Sequence, residues 1–520
     1  MTKTDLVANV FDERSVERIR FVRALSPGSH VHISGICGTG TAAALSLLKQ
    51  LGFRVTGSDK AFYPPMGELV RKMADGVFEG YAAENLAETP ALVLIGNALS
   101  RGNPEVEYVL ENNIPFASLP EVFSALLIGS REDCRTSIVV TGTHGKTTTA
   151  AILASFLDFA GRKPGYFVGG IPTSLPSNIR PPSVEMPSAR RVVVIEGDEY
   201  DSAFFAKYSK FHCYRPDIAI ITSLEFDHAD IYNSIEEIEA EFNCFVRGLP
   251  ADGMVLYCDT SERLVSLAEQ WRASPEVLAS VIPYGLSEQS PYHLKKRSQW
   301  QYQDIPRPRY GQKLECSFGD HELVLRTMLT GEHNALNVLV SAAVSRRLGV
   351  GDEELGDAAK AFTGVKRRQQ VIAEIGGITA IEDFAHHPSA VATTIAGLKE
   401  SYPGRRLVVV YEPRSNTSRR AFFQDAYATA FNAADSVVIR DVLDPGTYSK
   451  TESEISSLDV AKLVADINAQ NIPAIAFASV PEILEYLKSE LGRGDVVVLM
   501  SNGSFDGLPQ KLPEVLGGSG

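Results

Sequence analysis

Ile138-Val139-Val140-Thr141-Gly142-Thr143-His144-Gly145-Lys146-Thr147-Thr148-Thr149 is a β-branched run, a glycine-bearing loop and a Lys-Thr pair opening a helical stretch. Strand, loop and helix in that order are the grammar of a phosphate-binding loop. Glycines let backbone N–H groups close around phosphate oxygens, and the helix start adds positive potential. A lysine reaches the outer phosphates, and the following threonine offers a hydroxyl to magnesium. A strict loop of this kind also has glycine at 140, where this chain has Val140, so the loop is a variant anchored by Gly142 and Gly145. The competing reading is a chance Gly/Thr-rich turn, which the order of the elements weighs against. Gly142, Thr143, His144, Gly145, Lys146, Thr147 and Thr148 are therefore expected to hold ATP.

Two acidic segments fit beside this loop. The strand expected over 191–195 runs into Glu196-Gly197-Asp198-Glu199, and carboxylates at the carboxyl end of a strand next to a phosphate loop are where Mg2+ is commonly held. Glu196 is the first choice. The strand expected over 218–223 ends in Glu225-Phe226-Asp227-His228, which makes His228 a second candidate ligand. A capped, solvated loop is the alternative for each segment.

Further out, His30 to Ser34, the loop Gly35-Ile36-Cys37-Gly38-Thr39-Gly40, an apolar helix to Leu51 and a strand over 53–57 make a βαβ unit. Another apolar run, 91–95, ends at Gly96-Asn97. From about Gln369 strands and helices alternate again, with strands expected near 378–381, 406–411, 436–439, 474–476 and 495–500. A chain of 520 residues exceeds one hydrophobic core. The expectation is an α/β protein of three domains, residues 1–132, 133–368 and 369–520: Rossmann-like, P-loop ATPase-like and Rossmann-like again. The Pro-rich stretch 171–187 reads as an exposed loop, and no strand is assigned between 258 and 369. The first loop has Cys37 where a dinucleotide fingerprint has glycine, so a nicotinamide cofactor is not supported despite Asp59 after the second strand; a diphosphate still fits.

The net charge of −14 argues against a general nucleic-acid partner, because a phosphate backbone would be repelled except at a local basic patch. No apolar run of membrane-spanning or signal-peptide length is present, so no membrane partner and a cytoplasmic location are expected. Cys37, Cys134, Cys213, Cys244, Cys258 and Cys316 are scattered without zinc-like spacing and read as reduced thiols.

With the loop, Gly331-Glu332-His333-Asn334-Ala335-Leu336-Asn337, Gly364-Val365-Lys366-Arg367-Arg368 and Asp383-Phe384-Ala385-His386-His387-Pro388 in order, the chain resembles the Mur ligases nearly end to end. Those enzymes add amino acids or peptides to UDP-N-acetylmuramate with ATP. The segments 196–201, 225–230, 412–417 and 500–505 most resemble members that attach the murein tripeptide L-alanyl-gamma-D-glutamyl-meso-diaminopimelate; ligation of L-alanine is the runner-up. The resemblance implies a UDP-sugar domain, an ATP domain and a peptide domain in that order. It implies Lys146 and Thr147 at phosphate and magnesium, with Glu196 and His228 at magnesium. Asn334 and Asn337 would lie near adenine, Asp383 at the ATP ribose, and Lys366 and Arg367 at a junction closing over the phosphates. Gly35, Gly38, Thr39, Gly40, Asp59, Asn97 and Ser100 would serve the UDP-sugar. Where several Mur ligases carry a carbamylated lysine this chain has Arg215, so none is expected. Outside this class, a nucleotide-hydrolysing regulator and a nucleotide-sugar oxidoreductase remain open, as does the oligomeric state.

The third domain offers a specificity signal. Glu412-Pro413-Arg414-Ser415-Asn416-Thr417-Ser418-Arg419-Arg420 follows a strand, at the edge where open α/β sheets bind ligands. A guanidinium fork grips carboxylates, in which the tripeptide is rich and L-alanine poor. Arg414 and Asn416 are expected to bind peptide, whereas Arg419 and Arg420 suit a solvated helix start.

Overall fold

The computed structural model describes residues 13–63, 66–130, 132–133, 136–227, 231–301, 310–415, 417–442 and 457–517. The chain divides into two units: one of residues 1–226, 231–293 and 338–358, the other of 227–230, 294–337 and 359–520. The expected three-domain α/β architecture appears as three large sheets built mainly of parallel strands, with a small antiparallel ribbon of Asp201–Ala203 and Ala206–Ser209 beside them. No described helix is long and apolar enough to cross a membrane.

Unit one opens with five parallel strands in the order Gly76–Glu79, Arg54–Asp59, His30–Ser34, Leu92–Ile95, Phe116–Ala117. The strand order reverses direction beside His30–Ser34, and the Gly35 loop leaves from that point. The helix Thr39–Gln50 buries Ala42, Ala43, Ala44, Leu45, Leu47 and Leu48, apolar around most of its circumference as a helix covered on more than one side requires. The helix Pro104–Glu111 starts where it does because the Asn103 side chain accepts the N–H groups of Glu105 and Val106 and Pro104 needs no donor.

That helix start delivers a buried carboxylate. Glu105 is fully buried, accepting the Ser58 hydroxyl at 2.7 Å, the Asn85 amide at 2.7 Å and the Ser34 hydroxyl. His32 Nε2 lies 3.5 Å away, and its Nδ1 shares a 2.9 Å hydrogen bond with Thr56. Three neighbouring strand or loop ends are tied to one side chain beneath the Gly35 loop.

The second sheet is centred in unit one on Thr136–Thr141, flanked in parallel by Val192–Glu196 and Ile218–Ile221. Met254–Cys258 and Ser280–Gly285 extend one side, and Gly165–Phe167 the other. Their residues, such as Val193, Val194 and Ile195 or Ile218 to Ile221, are buried on both faces, as a covered parallel sheet requires. The Pro-rich stretch is irregular and mostly exposed or partly so, as a loop, except that Ile179–Arg180 pairs antiparallel with Gly165–Phe167. The stretch between Cys258 and Gln369 departs from expectation. It holds the strands Ser280–Gly285 and Tyr292–Gln301 and, in unit two, the antiparallel hairpin Tyr310–Phe318 with His321–Thr327. Polar, partly exposed strands such as Tyr292–Gln301 carry little apolar signal to read.

The sheet of unit two runs Gln370–Ile375, Ile378–Asp383, Val496–Met500, Leu407–Tyr411, Ser436–Arg440, Ala474–Phe477. Only the first pair is antiparallel. Its two-residue turn has φ +60° at Gly376 and +91° at Gly377, which explains the Gly-Gly. Of the cysteines, Cys213, Cys258 and Cys316 are buried, Cys37 and Cys244 partly so, and all five are free thiols; Cys134 lies outside the described residues.

The Glu105 network generates a stability prediction. Burial pushes the Glu105 carboxyl up, but hydrogen bonds from His32, Ser34, Ser58 and Asn85 outweigh it, and the net direction is downward. A carboxyl held lower in the folded than in the unfolded chain stabilises above its unfolded value near ~4.3, and the gain fades as pH falls through the folded value. Glu105→Leu strands several buried donors and should cost about 3 kcal/mol. Thermal unfolding from pH 7 down to pH 3 should show the gap between wild type and variant closing as acid is added.

Candidate active site

The phosphate loop takes its shape from contacts within the protein. Gly142 has φ +116° and Gly145 +83°, both in the left-handed half where a side chain is strained. A Cβ at Gly142 would lie 2.6 Å from Thr222 Oγ1 and 2.7 Å from the Ser223 carbonyl oxygen. The loop is pinned to the end of Ile218–Ile221: Thr143 N–H donates to Ser223 O at 3.1 Å, and His144 N–H to Ser223 Oγ at 2.8 Å. Thr143 Oγ1 accepts the Glu225 N–H at 2.8 Å, and the Thr222 hydroxyl donates to the His144 carbonyl. His144 Nε2 stands 3.5 Å from the Glu225 carboxylate. The helix that follows spans Lys146–Phe159, with Gly145 as its left-handed N-cap.

Lys146 and Thr147 point to two different carboxylates. The Thr147 hydroxyl donates to Glu196 Oε1 at 2.8 Å, and Glu196 Oε2 accepts the Gly169 N–H at 2.6 Å. A hydroxyl and a carboxylate held together are the hard oxygen donors that magnesium takes, so these residues fit the metal. Lys146 Nζ donates to the carbonyls of Gly142 at 2.7 Å and Thr143 at 3.3 Å, and to Glu199 Oε2 at 2.8 Å. Burial works to lower the lysine's pKa, but the carboxylates of Glu199, Asp198 and Glu196 outweigh it and the net direction is upward. The lysine is thus firmly charged. Glu199 stands in the segment quoted for Glu196, yet nothing in its spacing marks it as the lysine's partner. His228 lies outside the described residues.

In the first sheet's loop, Gly35 has φ +83° and the Asp59 carboxylate accepts the N–H groups of Cys37 and Lys60, each at 2.8 Å. Asp59 therefore shapes the loop from within. Gly38 caps the helix Thr39–Gln50, and a Cβ at Gly40 would lie 2.6 Å from Leu119 Cδ2. Asn97 and Ser100 are exposed beyond the end of Leu92–Ile95.

Unit two carries the remaining candidates. Asn334 and Asn337 are buried; the Asn334 amide donates to the Thr330 carbonyl at 2.8 Å and the Asn337 amide to Asn334 Oδ1 at 3.3 Å. Asp383 is buried and accepts the N–H groups of Gln369 at 2.7 Å and Ala385 at 2.8 Å. Burial pushes its carboxyl up, more than Arg368 and those two donors pull it down. Lys366 is exposed. Arg367, at φ +63°, is engaged within its own unit: it donates to Glu382 Oε1 at 2.7 Å, to the Ser501 carbonyl at 3.0 Å and to the Gly503 carbonyl.

Arg414 follows Leu407–Tyr411 and is about half exposed, 4.0 Å from the buried Glu412 carboxylate. Gly503 lies against it so closely that a Cβ there would overlap the guanidinium. A second arginine, unmarked in sequence because it ends a different strand, joins the cluster: Arg440 is buried, 2.7 Å from Asp506 Oδ2 and 3.9 Å from Glu412 Oε1. Asn416 lies outside the described residues.

Three family profiles match the chain in sequence order: the Mur ligase family catalytic domain over 30–131, the Mur ligase middle domain over 140–345 and the Mur ligase glutamate ligase domain over 367–503. The chain is similar to the UDP-N-acetylmuramate–L-alanyl-gamma-D-glutamyl-meso-2,6-diaminoheptandioate ligase of Escherichia coli, 34% identical across 93% of this chain and 97% of that protein. The Haemophilus influenzae enzyme of the same name is 35% identical across 94% and 99%. Among solved structures, a murein peptide ligase from Psychrobacter arcticus aligns with a TM-score of 0.66 and 31% identity, covering 94% of this chain and 99% of its own.

The loop geometry makes Gly142 testable. Gly142→Ala meets both an unfavourable φ and the Ser223 backbone, so ATP affinity measured by calorimetry should drop by at least tenfold. Gly161→Ala is the control: its φ of +68° is strained but no atom lies within 4 Å of the added Cβ. That variant should lose about 1 kcal/mol of stability and bind ATP as before.

Proposed function

The chain belongs to the Mur ligase family, and from that premise we propose that it joins L-alanyl-gamma-D-glutamyl-meso-diaminopimelate to UDP-N-acetylmuramate through an acyl phosphate, with ATP and magnesium. The observation that carries the reading is the glycine loop with Lys146 charged beside it and Thr147 paired with Glu196. In this reading residues 1–132 bind the UDP-sugar, 133–368 bind ATP and 369–520 bind the peptide, in the cytoplasm.

A carboxylate acylates poorly because oxide would have to leave. The muramate carboxylate attacks the terminal phosphorus of ATP, the bond to ADP breaks, and the peptide amine then attacks the acyl carbon and expels phosphate. The Gly142–Thr148 backbone orients the phosphates, and Lys146 brings a full positive charge to the oxygens on which negative charge gathers. Magnesium, when bound, screens that same charge; Thr147 Oγ1 and Glu196 Oε1 are the oxygens suited to hold it, with His228 a further candidate. The UDP-sugar is assigned to the Gly35–Gly40 loop with Asp59, Asn97 and Ser100. Asn334, Asn337 and Asp383 are assigned to the nucleoside, and Lys366 and Arg367 to the phosphate-side junction.

Peptide choice is assigned to Arg414, with Asn416 a further candidate. A tripeptide bearing several carboxylates gains from a guanidinium at the sheet edge, whereas L-alanine brings only one carboxylate. The direct test is mass spectrometry with ATP, UDP-N-acetylmuramate and either tripeptide or L-alanine. A condensed product with matching ADP and phosphate is expected from the tripeptide; product from L-alanine alone would replace this reading with the runner-up.

Two variants follow. Arg414→Ala should raise the KM for tripeptide by an amount corresponding to roughly 1.5 to 3 kcal/mol for a lost charged hydrogen bond, with ATP and UDP-N-acetylmuramate little changed; equal losses for all three would assign the arginine to folding. Glu196→Gln keeps the size and removes the charge, and should shift the magnesium activation curve to higher concentration. An unmoved curve would take Glu196 out of the metal site.

A further inference from the structure

Lys146 is saturated by the protein itself. Its ammonium has three protons, and Gly142 O, Thr143 O and Glu199 Oε2 accept all three. A phosphate that takes this lysine must displace at least one of them. The two carbonyls belong to the loop and adjust with it. Glu199 belongs to the turn after Val192–Glu196, a different part of the sheet edge.

That turn is locked from behind. The Glu199 carbonyl accepts the Tyr232 hydroxyl at 2.8 Å and the Ser209 hydroxyl at 3.0 Å, and those two hydroxyls lie 2.9 Å apart. The Ser209 N–H donates to Glu241 Oε2 at 3.4 Å, and the same oxygen lies 2.7 Å from His212 Nε2. Glu199, Ser209, His212, Tyr232 and Glu241 are all buried. The Glu199 backbone is held by these bonds, so its carboxylate can follow the lysine outward only as far as a change of side-chain rotamer allows. The neighbouring acid is otherwise engaged: Asp198 pairs with Lys210 at 2.5 Å.

We propose that Glu199 is a positioning residue of the nucleotide site, a counter-ion carried on a held backbone that keeps Lys146 and that the phosphates of ATP or ADP must outcompete. The inference rests on the phosphate-loop reading above. It gives the site two properties. Nucleotides that engage Lys146 bind through the fraction of molecules in which the lysine is released, so their apparent affinity is reduced by that fraction. After phosphoryl transfer, the return of Lys146 to Glu199 loosens the ADP left behind.

The test compares ATP, ADP and AMP binding by calorimetry in the full-length wild type, Glu199→Gln, Lys146→Ala and the double variant, with thermal melting as a folding check. Glu199→Gln should tighten ATP and ADP by about five- to twentyfold and leave AMP, which does not reach the lysine, unchanged. The gain should vanish in the Lys146→Ala background. In turnover assays the same variant should show a lower KM for ATP, a lower kcat and stronger inhibition by ADP, a split that a purely structural role would not produce. Glu199→Asp, which keeps the charge but shortens its reach, should fall between the two and guards against a folding artefact in the glutamine variant. Unchanged or weaker ATP binding in a folded Glu199→Gln protein, or an equal gain without Lys146, would overturn the proposal. A wild type that binds neither ATP nor ADP would instead overturn the phosphate-loop reading, and this inference with it.

Discussion

Parallel register is the constraint on which the central site depends. Val140 pairs with Glu196 and Ile221 with Thr141, so three strands end at one level. The glycine loop, the acidic turn and the Thr222–Glu225 segment must then emerge side by side. A shift of one residue in either flanking strand would turn Glu196 or the Ser223 anchor to the other face. The apolar runs that fix this register carry no chemistry, yet they place the hydroxyl of Thr147 against a carboxylate 49 positions further along the chain.

The charge arrangement at that edge follows from burial. A lysine withdrawn from water would tend to lose its proton, and the surrounding acids prevent that. The acids in turn would be costly to bury without donors, and each has them: Glu196 from Thr147 and Gly169, Glu199 from Lys146. The result is a site in which each charged group is hydrogen-bonded within the protein, with Glu199 paired to Lys146 and Glu196 left as a net negative charge. In the first sheet, Glu105 serves a different end under the same rule, binding strand ends together with no ligand required.

Sequence made the loop, the order of the sheets and Glu196 legible because each is a local pattern: glycine at left-handed turns, unbroken β-branched runs in covered strands, an acid directly after one. It did not reveal Glu199 as the lysine's partner, Arg440 beside Glu412 or the Glu105 cluster. Those pairings join residues tens of positions apart and depend on which side chain the turn happens to aim inward. The hairpin Tyr310–Phe318 with His321–Thr327 escaped for another reason: Leu314, Cys316 and Phe318 do alternate with Lys313, Glu315 and Ser317, but Gly311 and Gln312 before them shorten the apolar signal.

Gly503 and Arg414 bear on how such a site changes over evolutionary time. The guanidinium occupies the volume a side chain at 503 would need, while the backbone there is not in the left-handed region that demands glycine. Glycine at 503 is therefore a packing choice imposed by its neighbour. The two positions are coupled through space: a side chain at 503 would push the half-exposed guanidinium of Arg414 from its present place, and a shorter residue at 414 would remove that constraint. A substitution at either position therefore changes the room available to the other.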